Sequence, residues 1–292
     1  MFLDFSTIKP VLRQNYLQHA IAPRPICFAS TIDKEGNANL SPFSFFNMFS
    51  TNPAIVVFSP SSRVRDNTPK HTLENVLQVP EVVINIVDYD IVQQASLAST
   101  EYAKGVNEFI KAGLTPEPSR HVQPPMVKES KVKMECKVLE VKSLGNEGGA
   151  GNLVICEVLY MHIDDSILDD DGMINQQKLH HVARLGGNWY CRVDPSNLFI
   201  VPKPNRDIGI GIDALPGGIR SSRVLTGNDL GMLANVKELP SIDPAFDNED
   251  LKKIVQYYAL NPEDMEREVH LLARRMLEQH RVHDAWQVLL SV

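Results

Sequence analysis

Residues 23–63, PRPICFASTIDKEGNANLSPFSFFNMFSTNPAIVVFSPSSR, decide the reading of this chain. Pro25 to Ile32 is apolar and rich in strand formers. Asp33-Lys34-Glu35-Gly36-Asn37 is a turn whose glycine accepts positive φ. Leu40 to Phe49 reads as a second strand, Asn52-Pro53 breaks the run, and Ala54 to Phe58 has the continuous apolar character of a buried strand. The middle strand is unusual. Ser41, Ser44, Asn47, Ser50 and Thr51 alternate with Phe43, Phe45, Phe46 and Phe49, and Pro42 removes one backbone donor. By composition alone an edge strand with small polar residues facing water is the favoured explanation. The alternative is a surface for a large flat polar ligand, with aromatic area for a ring and hydroxyls or amides for its edge and a phosphate.

Outward from this stretch, the chain reads as strands separated by short helices. Residues 1–22 suggest an entry helix or arm starting at Thr7, with Ile8, Leu12, Tyr16 and Leu17 near helical spacing. Thr72 to Gln78 reads as a helix with Thr72 as N-cap and Pro80 just past its end. Val82–Val87 is a buried strand, Ile91–Ala98 a helix, and Asn107–Ala112 a helical turn closed by Gly113. Two long strands, Lys131–Leu144 and Asn152–His162, flank a glycine-rich connection at 145–151 that reads as a flexible hairpin. Six or so strands with short helices between them predict an α+β fold dominated by β structure, a Greek-key barrel rather than a doubly wound sheet. Residues 1–200 form the expected barrel domain. Residues 201–292 form a loop-rich and helical C-terminal extension in which Leu251, Ile254, Val255 and Tyr258 make one apolar stripe. A second helix starts at Asn261-Pro262 and carries Leu272 and Met276. Two such helices bury little by themselves, so they are expected to dock on the barrel or across a dimer seam.

Size and charge narrow the function classes. The 292 residues carry 43% hydrophobic and 22% charged side chains, ordinary for a globular protein, and a formal charge of −7. That balance offers no basic footprint for nucleic acid, and no apolar run approaches the ~20 residues that span a bilayer. The N-terminus lacks the parts of a signal peptide, so the cytoplasm is the expected location, with neither nucleic acid nor membrane as partner. Cys27, Cys136, Cys156 and Cys191 are scattered without a C-x-x-C pair, and Cys27 and Cys156 read as reduced core thiols. His162, His180 and His181 match no zinc spacing, and the acidic run at 169–171 lacks the glutamate of a calcium loop, so no metal is expected. Gly209-Ile210-Gly211 lacks the third glycine of a dinucleotide fingerprint, and no G-x-S-x-G elbow occurs.

The order of the pieces carries more than any one of them. Arg24-Pro25-Ile26, Ser30-Thr31, Asn39-Leu40-Ser41-Pro42-Phe43-Ser44, Asn52-Pro53, Lys70-His71-Thr72-Leu73-Glu74-Asn75, Glu81–Val87, Glu108–Leu114 and Val182–Tyr190 together resemble the flavin reductase-like family of FMN-binding split barrels, over roughly residues 5–195. The resemblance implies that the Ser41–Asn47 strand lies along a flavin, with Ser41, Pro42, Phe43, Ser44 and Asn47 as contacts. Phe45 and Phe46 read as barrel packing. Ser59, Ser61, Ser62 and Arg63 at a strand end, with Lys70 and Thr72 at a helix start, have the hydroxyls, cations and exposed N–H groups that a phosphate needs. Arg184, Gly186 and Tyr190 form the last matching motif, which in similar proteins reaches the flavin pocket. His71 stands where relatives often have Asp. The resemblance further implies a homodimer that takes electrons from NADH or NADPH and passes reduced flavin to a flavin-dependent monooxygenase. Some family members carry a His in the strand corresponding to Gly151–Val158. This chain has none, so the likeness bears more directly on FMN binding than on NAD(P)H use. Two other functions fit the same residues: FMN-dependent oxidation of a small substrate, and flavin holding or redox sensing without turnover. No side chain presents itself as a general acid or base, and hydride transfer to a flavin requires none.

Overall fold

A computed structural model describes residues 1–204 and 208–291. The entry helix α1 (Pro10–Ala20) starts three residues later than Thr7, because Pro10 lacks an amide N–H and suits the first helical position. The strands β1 (Arg24–Pro25), β2 (Cys27–Ile32), β3 (Ala38–Phe43), β4 (Phe46–Thr51) and β5 (Ala54–Phe58) follow. The run expected as one strand over 40–49 is thus two strands, with Ser44 and Phe45 outside the ladder. The helix α2 (His71–Gln78) takes Lys70, not Thr72, as its N-cap. Thr72 is buried one position inside, where its hydroxyl donates to Asn39 Oδ1 at 2.9 Å. Next come β6 (Glu81–Ile86), α3 (Val92–Ala98), α4 (Glu108–Ala112), the two-residue strands β7 (Pro116–Glu117) and β8 (Met126–Val127), β9 (Val132–Ser143), β10 (Asn152–Ile163), β11 (Val182–Arg184) and β12 (Tyr190–Arg192). Gly113 ends α4 at φ 65°, the left-handed C-terminal cap that glycine tolerates.

Seven strands form one antiparallel sheet in the order β3-β2-β6-β9-β10-β5-β4. β3 and β4 are joined by two residues yet stand at opposite ends of that order, so the ladder is not closed between them and the barrel is split. Alternation on β2 supplies both faces of the sheet. Cys27 and Ala29 join a core with Phe43, Phe58, Ile84 and Val154, while Phe28 joins a second with Leu40, Ile91 and Phe109. Phe28 and Phe58 are fully buried, each contributing about 1.5–3 kcal/mol of transfer free energy. Cys27, Cys136 and Cys156 are free thiols in this interior. Burial pushes Cys27 and Cys156 well above the ordinary thiol range and Cys136 up to about 12, which leaves them inert as nucleophiles.

Residues 200–292 make a second unit, separate from 1–199. It contains α5 (Gly217–Arg220), α6 (Gly227–Ala234), α7 (Glu249–Tyr257), α8 (Pro262–Glu278) and α9 (Val282–Leu290). The closing helices are therefore three rather than two, with a turn at His280, whose φ is 58°. Leu251, Leu272 and Met276 sit in a core with Leu233, Leu277, Trp286 and Val288, and Ile254 packs on it. The Trp286 indole donates to the Leu233 carbonyl at 3.2 Å. Leu251, Ile254, Leu272 and Met276 of the expected stripes thus have an apolar partner within their own unit, whereas Val255 is exposed.

Candidate functional site

A narrow cleft of about 30 Å³ opens where β3, the start of α2, the end of α3 and α4 converge. Period-two alternation places Asn39 and Ser41 of β3 on its wall. The floor is a fixed polar frame. Glu108, buried in the first turn of α4, accepts from Asn39 Nδ2 at 2.9 Å and from the Leu40 amide at 3.1 Å. The Thr72 hydroxyl donates to the same Asn39, and Thr72 also lines the cleft.

Two cations enter this frame. Lys70, half-buried at the N-cap of α2, has no carboxylate within ion-pair distance among the described residues. Burial lowers its pKa; Glu101 pulls the other way and Arg63 adds to the lowering. A desolvated ammonium without a partner, beside the exposed amides of a helix start, is a ready anion site. Arg63 is held more firmly. Its Nη1 donates to Thr68 Oγ1 at 2.9 Å and to the Pro69 carbonyl at 2.6 Å, and its Nε lies 3.5 Å from Glu101. Glu101 is half exposed there.

The loop bearing Arg63 is clamped by the connection between β9 and β10. The Ser62 amide donates to Ala150 O at 2.9 Å and the Gly149 amide to Ser62 O at 3.0 Å. Asn67 Nδ2 reaches Asn146 O at 2.7 Å, and Asn152 Nδ2 reaches Pro60 O at 3.1 Å. A Cβ at Gly148 would come within 2.9 Å of Val64 O, and one at Gly151 within 2.9 Å of Ser59 Oγ. These glycines permit close backbone approach rather than the flexibility expected of them. Ser59, Ser61 and Ser62 lie half-buried along this clamped segment.

The remaining candidates lie elsewhere. The Phe43 ring is in the core, 5.1 Å from the Phe58 ring, so only its backbone is available to a ligand. Pro42 and Ser44 are half-buried at the β3–β4 corner, and exposed Asn47 accepts from the Met48 amide at 2.8 Å. Arg184 and Tyr190 belong to the small sheet β1-β11-β12, and Gly186 to the loop that joins β11 and β12. There the buried Arg24 guanidinium donates to Gln18 O at 2.6 Å, Ile21 O at 2.5 Å and Leu185 O at 2.9 Å. A cation on the last carbonyls of α1 also suits the helix dipole. A Cβ at Gly186 would overlap the His19 ring, so glycine lets α1 pack on this loop. Arg184 donates to the Tyr190 hydroxyl and to Gly187 O at 2.6 Å, with its guanidinium 4.6 Å from the Tyr190 ring centre. Arg184 and Tyr190 line a wider recess of about 400 Å³ with Tyr89, Gln93, Asn188 and Arg192. The candidate set therefore divides: Ser41, Arg63, Lys70 and Thr72 meet in the cleft, whereas Arg184 and Tyr190 line a different recess. Sequence reasoning missed Asn39, Glu101 and Glu108. The alternation of Asn39 with Ser41 was a usable signal for the first. Nothing local marked the burial of Glu108.

Among the described residues no helix is long and apolar enough to cross a membrane. The flavin reductase-like domain model matches residues 19–183. An uncharacterized protein of Aquifex aeolicus is 39% identical over 172 residues, covering 59% of this chain and 85% of that protein. YwrF of Bacillus subtilis is 29% identical over 189 residues, covering 64% and 91%. Among solved structures, nitrilotriacetate monooxygenase component B from Bacillus cereus superposes with a TM-score of 0.64 at 26% identity, over 69% of this chain and 98% of that one. A split barrel domain protein of Shewanella frigidimarina gives 0.59 at 30% identity, over 70% and 99%. With the split seven-stranded sheet and the order of its motifs, the chain belongs to the flavin reductase-like domain family.

Proposed function

We propose that the protein is an FMN-binding oxidoreductase that uses NADH or NADPH to reduce flavin and supplies the reduced flavin to a partner monooxygenase. The observation that carries the FMN assignment is Lys70, a half-buried cation without a carboxylate partner, beside Arg63 and the first amides of α2. A phosphate monoester restores the charge balance that burial of Lys70 disturbs, and the floor built by Glu108, Asn39 and Thr72 fixes the walls around it. The carbonyl and amide groups of Ser41 to Ser44 offer the donors and acceptors that a flavin edge requires. Bound FMN supplies the redox chemistry; the chain's part is to hold the phosphate, orient the ring along the β3–β4 corner and limit water. Nitrilotriacetate monooxygenase component B, as a structural relative, supports the partner assignment. An absorbance spectrum of the purified full chain with FMN, before and after NADH or NADPH, tests the reading. Bleaching of the flavin bands by one of the two donors, followed by steady donor oxidation with added free flavin, is expected. Retained FMN that neither donor bleaches would exclude the reductase.

The protein is further proposed to act as a homodimer. No residue of α1 is buried, and Val11, Leu12, Leu17 and Ile21 are exposed. Met48 and Phe49 are exposed on the end strand β4. Exposed apolar side chains along an unburied helix and an open strand edge favour pairing with a second copy. Light scattering should give twice the monomer mass at micromolar concentration, and a flavin-loaded monomer there would overturn the assignment.

A further inference from the structure

We propose that the recess between α3 and the β11–β12 ribbon is a second ligand site, separate from the flavin cleft, for a small planar aromatic anion. The register pairs Val182 with Arg192 and Arg184 with Tyr190, which puts all four on one face of the ribbon. Arg184 and Arg192 are therefore diagonal neighbours of like charge, within reach of one another for long side chains. Neither has a carboxylate within ion-pair distance among the described residues, although the chain carries a net charge of −7. Asp90 and Asp194 feel the field of Arg192 without pairing with it. Buried Arg24 feels the charge of Arg184 as well. An anion on this face meets two guanidinium charges that no carboxylate of the described residues pairs with.

The aromatic preference follows from the same face. Arg192 lies 4.3 Å from the Tyr89 ring centre and Arg184 lies 4.6 Å from that of Tyr190. Two guanidinium groups within cation–π distance of tyrosine rings gather a face of π and cationic surface for a flat ligand. Arg184 uses two donors on Tyr190 and Gly187, which fixes its plane. No hydrogen bond engages the Arg192 guanidinium among the described residues. Gln93 and Asn188 add amide donors at the rim, and the volume of about 400 Å³ suits one or two rings. The shared ligand chemistry is an aromatic ring bearing a carboxylate or a phosphate.

Calorimetric titration of the FMN-loaded full chain with benzoate, phenyl phosphate and benzyl alcohol tests this, with FMN fluorescence followed in parallel. One equivalent of benzoate or phenyl phosphate should bind without releasing FMN, and the better binder of the two names the anion. Benzyl alcohol, with the ring but no charge, should bind at least about tenfold more weakly, and Arg192→Gln should weaken the anion about tenfold. Three results would overturn the proposal: release of FMN by the aromatic anion, which would join the recess to the flavin site; equal binding to wild type and Arg192→Gln; and no heat with either anion at millimolar concentration. If the protein takes up no FMN at all, the same titration on the ligand-free chain still decides the recess, so the two assignments fail separately.

Discussion

The two basic recesses of the N-terminal unit lie along the same short helix, in different surroundings. Each sets one tethered cation, Arg63 or Arg184, beside one without a side-chain hydrogen bond or ion pair among the described residues, Lys70 or Arg192. The cleft is lined by Ala98 at the end of α3, and the wider recess by Val92 and Gln93 at its start. In the cleft, Arg63 is bonded to its own loop, that loop is bonded to the β9–β10 connection, and the floor is a buried carboxylate with both oxygens occupied. In the recess, Arg184 lies against Tyr190 of the ribbon, while Arg192, which is exposed, lies against Tyr89 just before α3. Fixed donors select one ligand geometry, because little reorganisation accompanies binding. Cations on an exposed ribbon bind a class of anions less tightly. On the proposed assignments, the cleft takes a phosphate on a particular molecule and the recess a charge on a flat one.

The largest expected effect on this contrast is at Lys70. Lys70→Met should weaken FMN by about 10- to 150-fold, the equivalent of roughly 1.5–3 kcal/mol for a hydrogen bond to a charged group, and leave riboflavin within about twofold. Equal losses for both ligands in a fluorescence-quenching titration would move the phosphate elsewhere. Arg63→Ala should act in the same direction but by only about tenfold, because that guanidinium is already shared with Thr68, Pro69 and Glu101. An Arg63 effect larger than the Lys70 effect would reverse the roles given to the two.

Gly151→Ala should cost about 1 kcal/mol of stability by pressing on Ser59. It should also weaken FMN by about two- to fivefold through the clamped loop, while leaving benzoate binding at Arg192 unchanged. A stability loss with no change in FMN affinity would show that the clamp does not position Arg63. The smallest effect at neutral pH is titration of Lys70. Its folded pKa lies below the usual 10.5. Over that interval the unfolded chain holds the extra proton, so the ligand-free protein gains stability as pH rises through it. FMN affinity needs the charged form and should fall over the same interval. Affinity that stays level through the alkaline range, or that falls equally in Lys70→Met, would remove Lys70 from the phosphate.

Much of this was legible in the sequence, and the losses have a common cause. β2, β5, β6, β9 and β10 announce themselves through apolar runs and alternation, and Gly113 marks the end of α4. The division of 40–49 into β3 and β4 does not, because both halves share one mixture of hydroxyl and aromatic residues. Only distant partners, β2 for one and β5 for the other, separate them. Thr72 has the chemistry of an N-cap, but a tertiary bond to Asn39 takes its hydroxyl. Arg63 and Lys70, which the structure brings to one cleft, were readable as a pair of candidates because cations beside hydroxyls are a local signal. Glu108 was not, since its burial depends on α4 packing against β3. For the C-terminal stripes, amphipathicity showed that an apolar partner exists without showing that it lies in the same unit.

The central claim is that the cleft at Lys70 and Arg63 recognises the phosphate of FMN. Titration of the full-length protein with FMN and with riboflavin, under one buffer and salt condition, tests it most directly. The account predicts roughly micromolar or tighter FMN, equivalent to about −8 kcal/mol or better, and riboflavin weaker by at least about tenfold for loss of the charge-assisted contacts. Equal affinities for the two flavins, or binding of neither, would contradict it.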